Sequence, residues 1–467
     1  MSARPTPPTV AVIGAGFSGT LVATHLLRGR SGPLRVLLVD RTGRFGAGIA
    51  YGTRAACHVL NVPAGRMSAF PDDPDHFVRW AGRVRSADEP VLVEPHTFAP
   101  RPLYGRYLHS VLEDATRAAT PDGRLERVGE DAIAIEPNPG GAVVRFASGR
   151  CVRVDAAVLA LGHFPPRDPP VADRTFFASE RYVSWAWSPT ALAGLAPDAD
   201  VLFVGAGLTA VDLALELAER RHVGRIHMLS RRGLFPQAHR PTAPYPAFLD
   251  PAALPTRIAQ IARHVRREVA VAKSVGHDWR AVVDALRPVT QRLWQGLPTV
   301  ERRRFLRHVR PHWEVLRHRM APEVAATIEH LRTDGRLVVH AGRLQGFRED
   351  RDGVAVTFRR RGDGEEVGLT VERVVNCTGP ESDIRESHHP LVRDLSARGL
   401  IRPDPLGLGL DVAADGGLLD TGGASSSWLF TLGPLCKGRL WEVTAVPEIR
   451  VQAAALAARL REVLRAA

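Results

Sequence analysis

The sequence predicts an α/β fold of two Rossmann-like dinucleotide-binding domains with a mostly helical insertion. The reason is that a strand–glycine turn–helix–strand unit occurs twice and a helical block breaks that rhythm once. Residues 9–19, Thr-Val-Ala-Val-Ile-Gly-Ala-Gly-Phe-Ser-Gly, read as a buried strand ending in G-x-G-x-x-G. An apolar helical pattern follows over 20–27, then a strand Leu34–Val39 that ends at Asp40. Gly14 permits the tight turn, Gly16 lets backbone approach a pyrophosphate, and Gly19 lets the helix pack on the strand. The helix N-terminus favours phosphate charge, and Asp40 can accept hydrogen bonds from a ribose diol.

The second copy runs over 200–210, Asp-Val-Leu-Phe-Val-Gly-Ala-Gly-Leu-Thr-Ala, with Gly205, Gly207 and Ala210 in the three turn positions. Its next strand, 225–229, ends at Ser230-Arg231-Arg232 instead of an acid. The spacing agrees between copies, 26 residues from Gly14 to Asp40 and 25 from Gly205 to Ser230. Two guanidiniums can hold a 2′-phosphate that an acid would repel, so the second site reads as NADPH-preferring, with NADH open as well. Two sites of different preference imply two nucleotides, and the first suits FAD.

Three further strand-to-loop junctions fit the plan: 154–161 into Gly162, 373–377 into Thr378-Gly379-Pro380, and 428–432 into Gly433-Pro434. A helix-like pattern over 447–464 follows the last. The expected organisation is a first domain over 1–170 that resumes at 375–467. The nucleotide domain, 171–374, lies between them, and 168–197 forms the crossing linker. The insertion, about 251–333, shows helical spacing at Ile258, Ile261, Ala262, Val265 and Val269. It carries a dense run from Arg307 to Pro322 with His312, Trp313, Arg317, His318 and Arg319. That run reads either as a solvated helix face or as a cationic, proton-transferring lining.

Composition narrows the function classes. With 45% hydrophobic and 24% charged residues the chain is globular, and no stretch approaches the length of an apolar membrane span. The N-terminus runs into a strand pattern with no room for a signal peptide. The net charge of +12 comes almost wholly from arginine, since Lys273 and Lys437 are the only lysines. These arginines are scattered, without the basic block of a nucleic-acid tail, so no nucleic-acid partner is expected. Cys57, Cys151, Cys377 and Cys436 stand far apart, giving no metal knuckle and no local dithiol. A reducing, cytoplasmic setting is the simplest expectation.

Longer stretches carry a family likeness. They are 43–53 (Gly-Arg-Phe-Gly-Ala-Gly-Ile-Ala-Tyr-Gly-Thr), 58–68 (His-Val-Leu-Asn-Val-Pro-Ala-Gly-Arg-Met-Ser) and 101–108 (Arg-Pro-Leu-Tyr-Gly-Arg-Tyr-Leu). Together with Arg317-His318-Arg319 and the run from Trp441-Glu442 to Arg450, they resemble the FAD-NAD(P)-binding flavoprotein family over nearly the whole chain. The resemblance implies a glutathione-reductase-like arrangement with FAD and NADPH or NADH. It adds Phe17, Ser18, Arg41, Asn61, Arg101, Gly162, Thr209, Gly379, Gly433 and Pro434 to the cofactor-binding set. The chain departs from the pattern of related monooxygenases in lacking F-x-G-x-x-x-H near 177–182, and in reading Gly433-Pro434 where Gly-Asp is common.

The expected function is an FAD-dependent NAD(P)H monooxygenase acting with O₂ on a small, anionic N-heterocycle. Among look-alikes of the family this suggests urate, hydroxylated to 5-hydroxyisourate in purine catabolism. Arg317, His318, Arg319 and His312 are the catalytic candidates, the arginines as anion anchors and a histidine as base. The alternatives are a reductase or dehydrogenase that does not oxygenate and, from another class, a nucleotide-binding regulatory protein.

Overall fold

The computed structural model describes residues 7–28, 32–84, 92–119 and 123–466, so most of the N-terminal segment before the first strand lies outside it. The chain divides into two compact units. The first comprises Met1–Ala56, Val62–Phe164 and Ser382–Ala467, and the second Cys57–Asn61 and Pro165–Glu381.

The first unit is built on a six-stranded sheet in the order Gly417–Leu419, Ser425–Thr431, Ala156–Leu159, Thr9–Ile13, Leu34–Val39, Gly123–Val128. All neighbours are parallel except the Gly417–Leu419 edge pair. Val10, Ala11, Val12, Val36, Leu37 and Leu38 are fully buried. Unbroken apolar runs of this kind suit a parallel sheet covered on both faces. Helix Phe17–Arg28 packs against helices Arg101–Ala118 and Val446–Ala466. A three-stranded antiparallel sheet, Ala132–Asn138, Gly141–Phe146 and Cys151–Val154, shares the core through Ile135, Val144 and Phe146.

The second unit holds a seven-stranded sheet in the order Glu366–Val371, Val354–Arg360, Leu337–Glu349, Ile226–Ser230, Val201–Val204, Arg373–Asn376, Tyr182–Val183. The last five strands of that order are parallel, and the first two form an antiparallel meander with Leu337–Glu349. Helix Leu208–Glu219 follows the glycine turn, and helix Pro322–Thr333 packs on it and on Leu337–Glu349.

Three expectations need correction. The return at residue 375 falls inside strand Arg373–Asn376, whose ladder to Val201–Val204 ties it to the second sheet. The chain crosses back at Glu381–Ser382, and the earlier crossing is at Phe164–Pro165. Segment 168–197 is more than a linker, because Tyr182–Val183 within it forms an edge strand on Val374–Val375. Pro322–Thr333, assigned above to the insertion, is the crossover helix between two parallel strands. Before it come helices Ile258–Ser274, Trp279–Ala285, Thr290–Gly296, Thr299–Arg304 and Arg310–Arg317. They enclose a small core of Leu249, Leu286, Val289 and Leu293, with Ile261, Val265 and Trp313 packed against it. Trp313 is thus a packing residue.

No helix among the described residues is long and apolar enough to cross a membrane. None of their His, Cys, Asp and Glu side chains gather in threes that could hold a metal ion.

Candidate nucleotide sites

In the first unit the turn is closed by a strand distant in sequence. Gly14 has φ +101°, and a Cβ there would stand 2.3 Å from the Ala160 carbonyl oxygen, just past strand Ala156–Leu159. A Cβ on Gly19 would lie 1.8 Å from the Gly14 carbonyl oxygen, so helix and turn meet backbone to backbone. Asp40 is anchored at the next strand end. Its Oδ2 accepts from the Ala15 N–H at 3.1 Å, and its Oδ1 from the Thr42 N–H and hydroxyl at 2.9 and 2.6 Å. Arg41 beside it is exposed.

The stretch 43–53 explains itself here. Gly46 N–H donates to the Ala15 carbonyl at 2.9 Å, and a Cβ on Gly48 would lie 2.8 Å from the Gly16 Cα. The short helix Gly48–Tyr51 therefore lies directly on the glycine turn, with Gly48 as a turn partner that motif spacing alone did not single out. Phe17 packs edge-on to Tyr51 at 6.0 Å and near Tyr104 at 6.3 Å. Burial raises the Tyr51 phenol pKa, and Arg101, first residue of its helix, opposes the shift. At the C-terminal junction Gly433 has φ +73°, its N–H donates to Gln452 Oε1 at 3.1 Å, and a Cβ would lie 2.8 Å from the buried Ser18 hydroxyl. Pro434 continues the short helix Gly433–Cys436. Gly162, φ +68°, follows Ala160 by two positions in the loop that closes the turn.

The second unit repeats the device. Gly205 has φ +123°, and a Cβ there would stand 2.3 Å from the Cys377 carbonyl oxygen, just past strand Arg373–Asn376. Gly379, φ +94°, follows Cys377 by two positions as Gly162 follows Ala160. Gly379, placed in the FAD domain by the expected boundary at 375, therefore belongs to the second unit and its turn. Gly207 caps helix Leu208–Glu219 at φ −89°, and no atom lies within 4 Å of a Cβ built on it. Here the backbone faces open space, as a cradle for a phosphate requires. Ala210 is fully buried in the third position, and Thr209 is half-buried in the first turn. At the strand end the Ser230 hydroxyl accepts from the Gly233 N–H at 3.1 Å, and Arg231 is exposed. Arg232 reaches the insertion, 3.4 Å from His312 Nε2 and 3.5 Å from the Arg307 carbonyl.

The catalytic candidates separate. Helix Arg310–Arg317 stops at Arg317, and His318 caps it at φ −95°, ψ 85°, so the three residues 317–319 share no helix. Arg319 is 2% exposed and bidentate to Asp284, Nη1–Oδ2 3.0 Å and Nη2–Oδ1 3.1 Å, with Nε donating to the Leu316 carbonyl at 2.7 Å. Its donors are taken up inside the insertion, which makes it a structural residue and corrects its assignment as an anion anchor. Asn61 also moves. Segment Cys57–Asn61 packs with the second unit, where the Asn61 carbonyl lies 3.0 Å from His239 Nε2 and buried His58 lies 3.1 Å from the Asp212 carbonyl. Burial holds His239 down at about 4. The sequence offered no signal for His239, because its partner is distant in the chain.

Three of the thiols are unsuited to a redox role. Burial pushes Cys57 and Cys436 up to about 12 and raises Cys377 as well, so these three stay protonated at neutral pH.

Partly buried histidines give the stability a pH signature. Burial pushes His25, His239 and His340 down from 6.5 to about 4. In the last case neighbouring His227, whose Nδ1 is 3.0 Å from His340 Nε2, adds to the effect. The unfolded chain then takes up protons before the folded one, so stability is full above about pH 6.5 and falls as pH drops toward 4. Urea midpoints should decline across that window, and His340→Gln should flatten the slope. A midpoint constant from pH 7 to 4.5 would contradict the neutral state of these histidines.

Comparison with known proteins agrees with this geometry. Residues 11–164 match the family model described as FAD-NAD(P)-binding. An uncharacterised protein of Mycobacterium tuberculosis strain H37Rv is 23% identical over 97% of this chain and 96% of its own. Among solved structures, ornithine hydroxylase from Pseudomonas aeruginosa aligns with a TM-score of 0.64 at 17% identity, covering 98% of this chain and 100% of that one. The cadaverine monooxygenase of Erwinia amylovora, bound to FAD, aligns at 0.66 with 14% identity, covering 98% and 94%. The chain has the fold of the two-dinucleotide-domain flavoproteins.

Proposed function

We propose that the protein is an FAD-dependent monooxygenase that consumes NADPH. The duplicated glycine turn, closed each time by a carbonyl 2.3 Å from the glycine's absent Cβ, supports two nucleotides, and the alignment with ornithine hydroxylase and cadaverine monooxygenase supports oxygenation. One copy ends in an anchored Asp40 and the other in Arg231 and Arg232. FAD would lie along Gly14, Gly16, Ser18, Gly19, Asp40 and Gly433. NADPH would lie along Gly205, Gly207, Thr209, Ser230, Arg231 and Arg232. Bound FAD supplies hydride acceptance and reaction with O₂. The residues of the chain supply phosphate cradles, ribose contacts and orientation.

For the substrate, the aligned structures favour a primary amine, since ornithine and cadaverine both carry one. Urate came from look-alikes of the family, with the cationic run at 307–319 as its expected anion site. Within that run Arg319 is paired with Asp284, and His312 contacts Arg232. The amine therefore stands first.

The test reads NADPH oxidation together with oxygen uptake, offering ornithine, lysine, cadaverine and urate in turn. The expected result is NADPH oxidation matched by oxygen uptake and stimulated by one of the amines. Stimulation by urate alone would restore the heterocycle and overturn the amine assignment. Undiminished anaerobic oxidation with an added acceptor would make the protein a reductase. Bound nucleotide without flavin reduction would make it a regulatory protein.

A further inference from the structure

The helical insertion meets Arg232 just past strand Ile226–Ser230, and the contact has a chemical cause. Arg307 lies in a π-helical turn, Phe305–Val309, that leads into helix Arg310–Arg317. In an α-helix its carbonyl would accept from the residue four positions on, but that residue is Pro311, which has no N–H. The carbonyl therefore lacks its α-helical donor, and Arg232 Nη2 lies 3.5 Å from it. One position beyond Pro311, His312 sets its Nε2 3.4 Å from Arg232 Nη1. Both acceptors are on the insertion, and both contacts are long. They aim the guanidinium while leaving its remaining N–H groups for an anion.

We infer that the helical insertion sets coenzyme preference, with His312 and the Arg307 carbonyl acting as positioning groups that aim Arg232 at the 2′-phosphate of NADPH. The inference rests on the assignment of NADPH to the second unit. His312, expected above as a base, is then a specificity-determining residue. Its side chain is exposed, so truncating it leaves the packing of the insertion intact. Orientation matters here because a guanidinium grips phosphate through parallel N–H bonds in one plane, and a freely rotating arginine must give up that freedom on binding.

The test measures binding by calorimetry on the full-length protein, with adenosine 2′,5′-bisphosphate and adenosine 5′-phosphate as probes. Arg232→Ala should weaken the bisphosphate about tenfold and leave the monophosphate unchanged, as loss of a charge-assisted contact implies. His312→Ala should weaken the bisphosphate about threefold to fivefold, a smaller loss because the phosphate contact itself remains. His312→Gln, which keeps an acceptor, should restore binding, and His312→Ala should add nothing once Arg232 is alanine. If Arg232→Ala weakens both probes equally or neither, the coenzyme assignment itself falls. If Arg232→Ala behaves as expected but His312→Ala binds like wild type, or keeps its effect without Arg232, the role of the insertion falls and the assignment stands.

Discussion

Arg319→Ala should cost about 2–4 kcal/mol of stability, somewhat under the roughly 3–5 kcal/mol for removing one partner of a fully buried ion pair. The truncation strips two bonds from Asp284, one from the Leu316 carbonyl, and the guanidinium that lies 5.3 Å from the Trp279 ring centre. The Asp284 side chain is 40% exposed, so water recovers part of its solvation and keeps the loss below the extreme for a fully buried charge. Because the pair joins residues 284 and 319, the loss should appear as early unfolding of the insertion, before the parallel sheets. Urea denaturation followed by tryptophan fluorescence would report it, since Trp279 and Trp294 lie in the affected helices. Flavin content should stay at wild-type level. A variant that kept its midpoint and lost turnover would return Arg319 to the catalytic set.

The two glycine turns offer a contrast of comparable size. Gly19→Ala forces a Cβ to within 1.8 Å of the Gly14 carbonyl oxygen, so backbone must move. Such overpacking against backbone costs about 1–3 kcal/mol or more, and it displaces the turn itself. The protein should purify with little flavin and a lowered midpoint. Gly207→Ala is the opposite case, because its Cβ meets nothing within 4 Å and its φ of −89° suits any residue. It should keep its midpoint and its flavin while losing about tenfold in NADPH affinity, because the new methyl group occupies the pyrophosphate's approach. Flavin absorbance, thermal melts and NADPH titration separate the cases. Equal flavin occupancy in wild type and Gly19→Ala would contradict the first site, and unchanged NADPH affinity in Gly207→Ala the second.

What the sequence disclosed follows from the range of each interaction. The glycine turns, their helices and the acid or arginines at the next strand end lie within about 30 residues, the scale on which such motifs operate. The insertion was legible from helical periodicity over 258–269. The carbonyls of Ala160 and Cys377 that close the turns were not, because parallel pairing brings them from far along the chain and leaves no local pattern. The same holds for Arg319 with Asp284, 35 positions apart, and for His239 with Asn61, 178 apart. A dense cationic run looks alike whether its arginines face an anion or a carboxylate beneath them. Composition could not make that distinction.

The strand order of the first unit also bears on how the protein is made. Its sheet places Ser425–Thr431 beside Ala156–Leu159, and helix Phe17–Arg28 packs on Val446–Ala466. A chain emerging from the ribosome therefore presents Ala156–Leu159 with one edge unpaired until Ser425–Thr431 is out, and helix Phe17–Arg28 half covered until Val446–Ala466 is out. The second unit has all its strands once Asn376 is out. Domains usually fold in the order of synthesis, but here the unit that starts first must finish last. During that interval an apolar strand edge stands open to wrong partners, which makes yield at high expression sensitive to chaperone supply and to truncation from the C-terminal end.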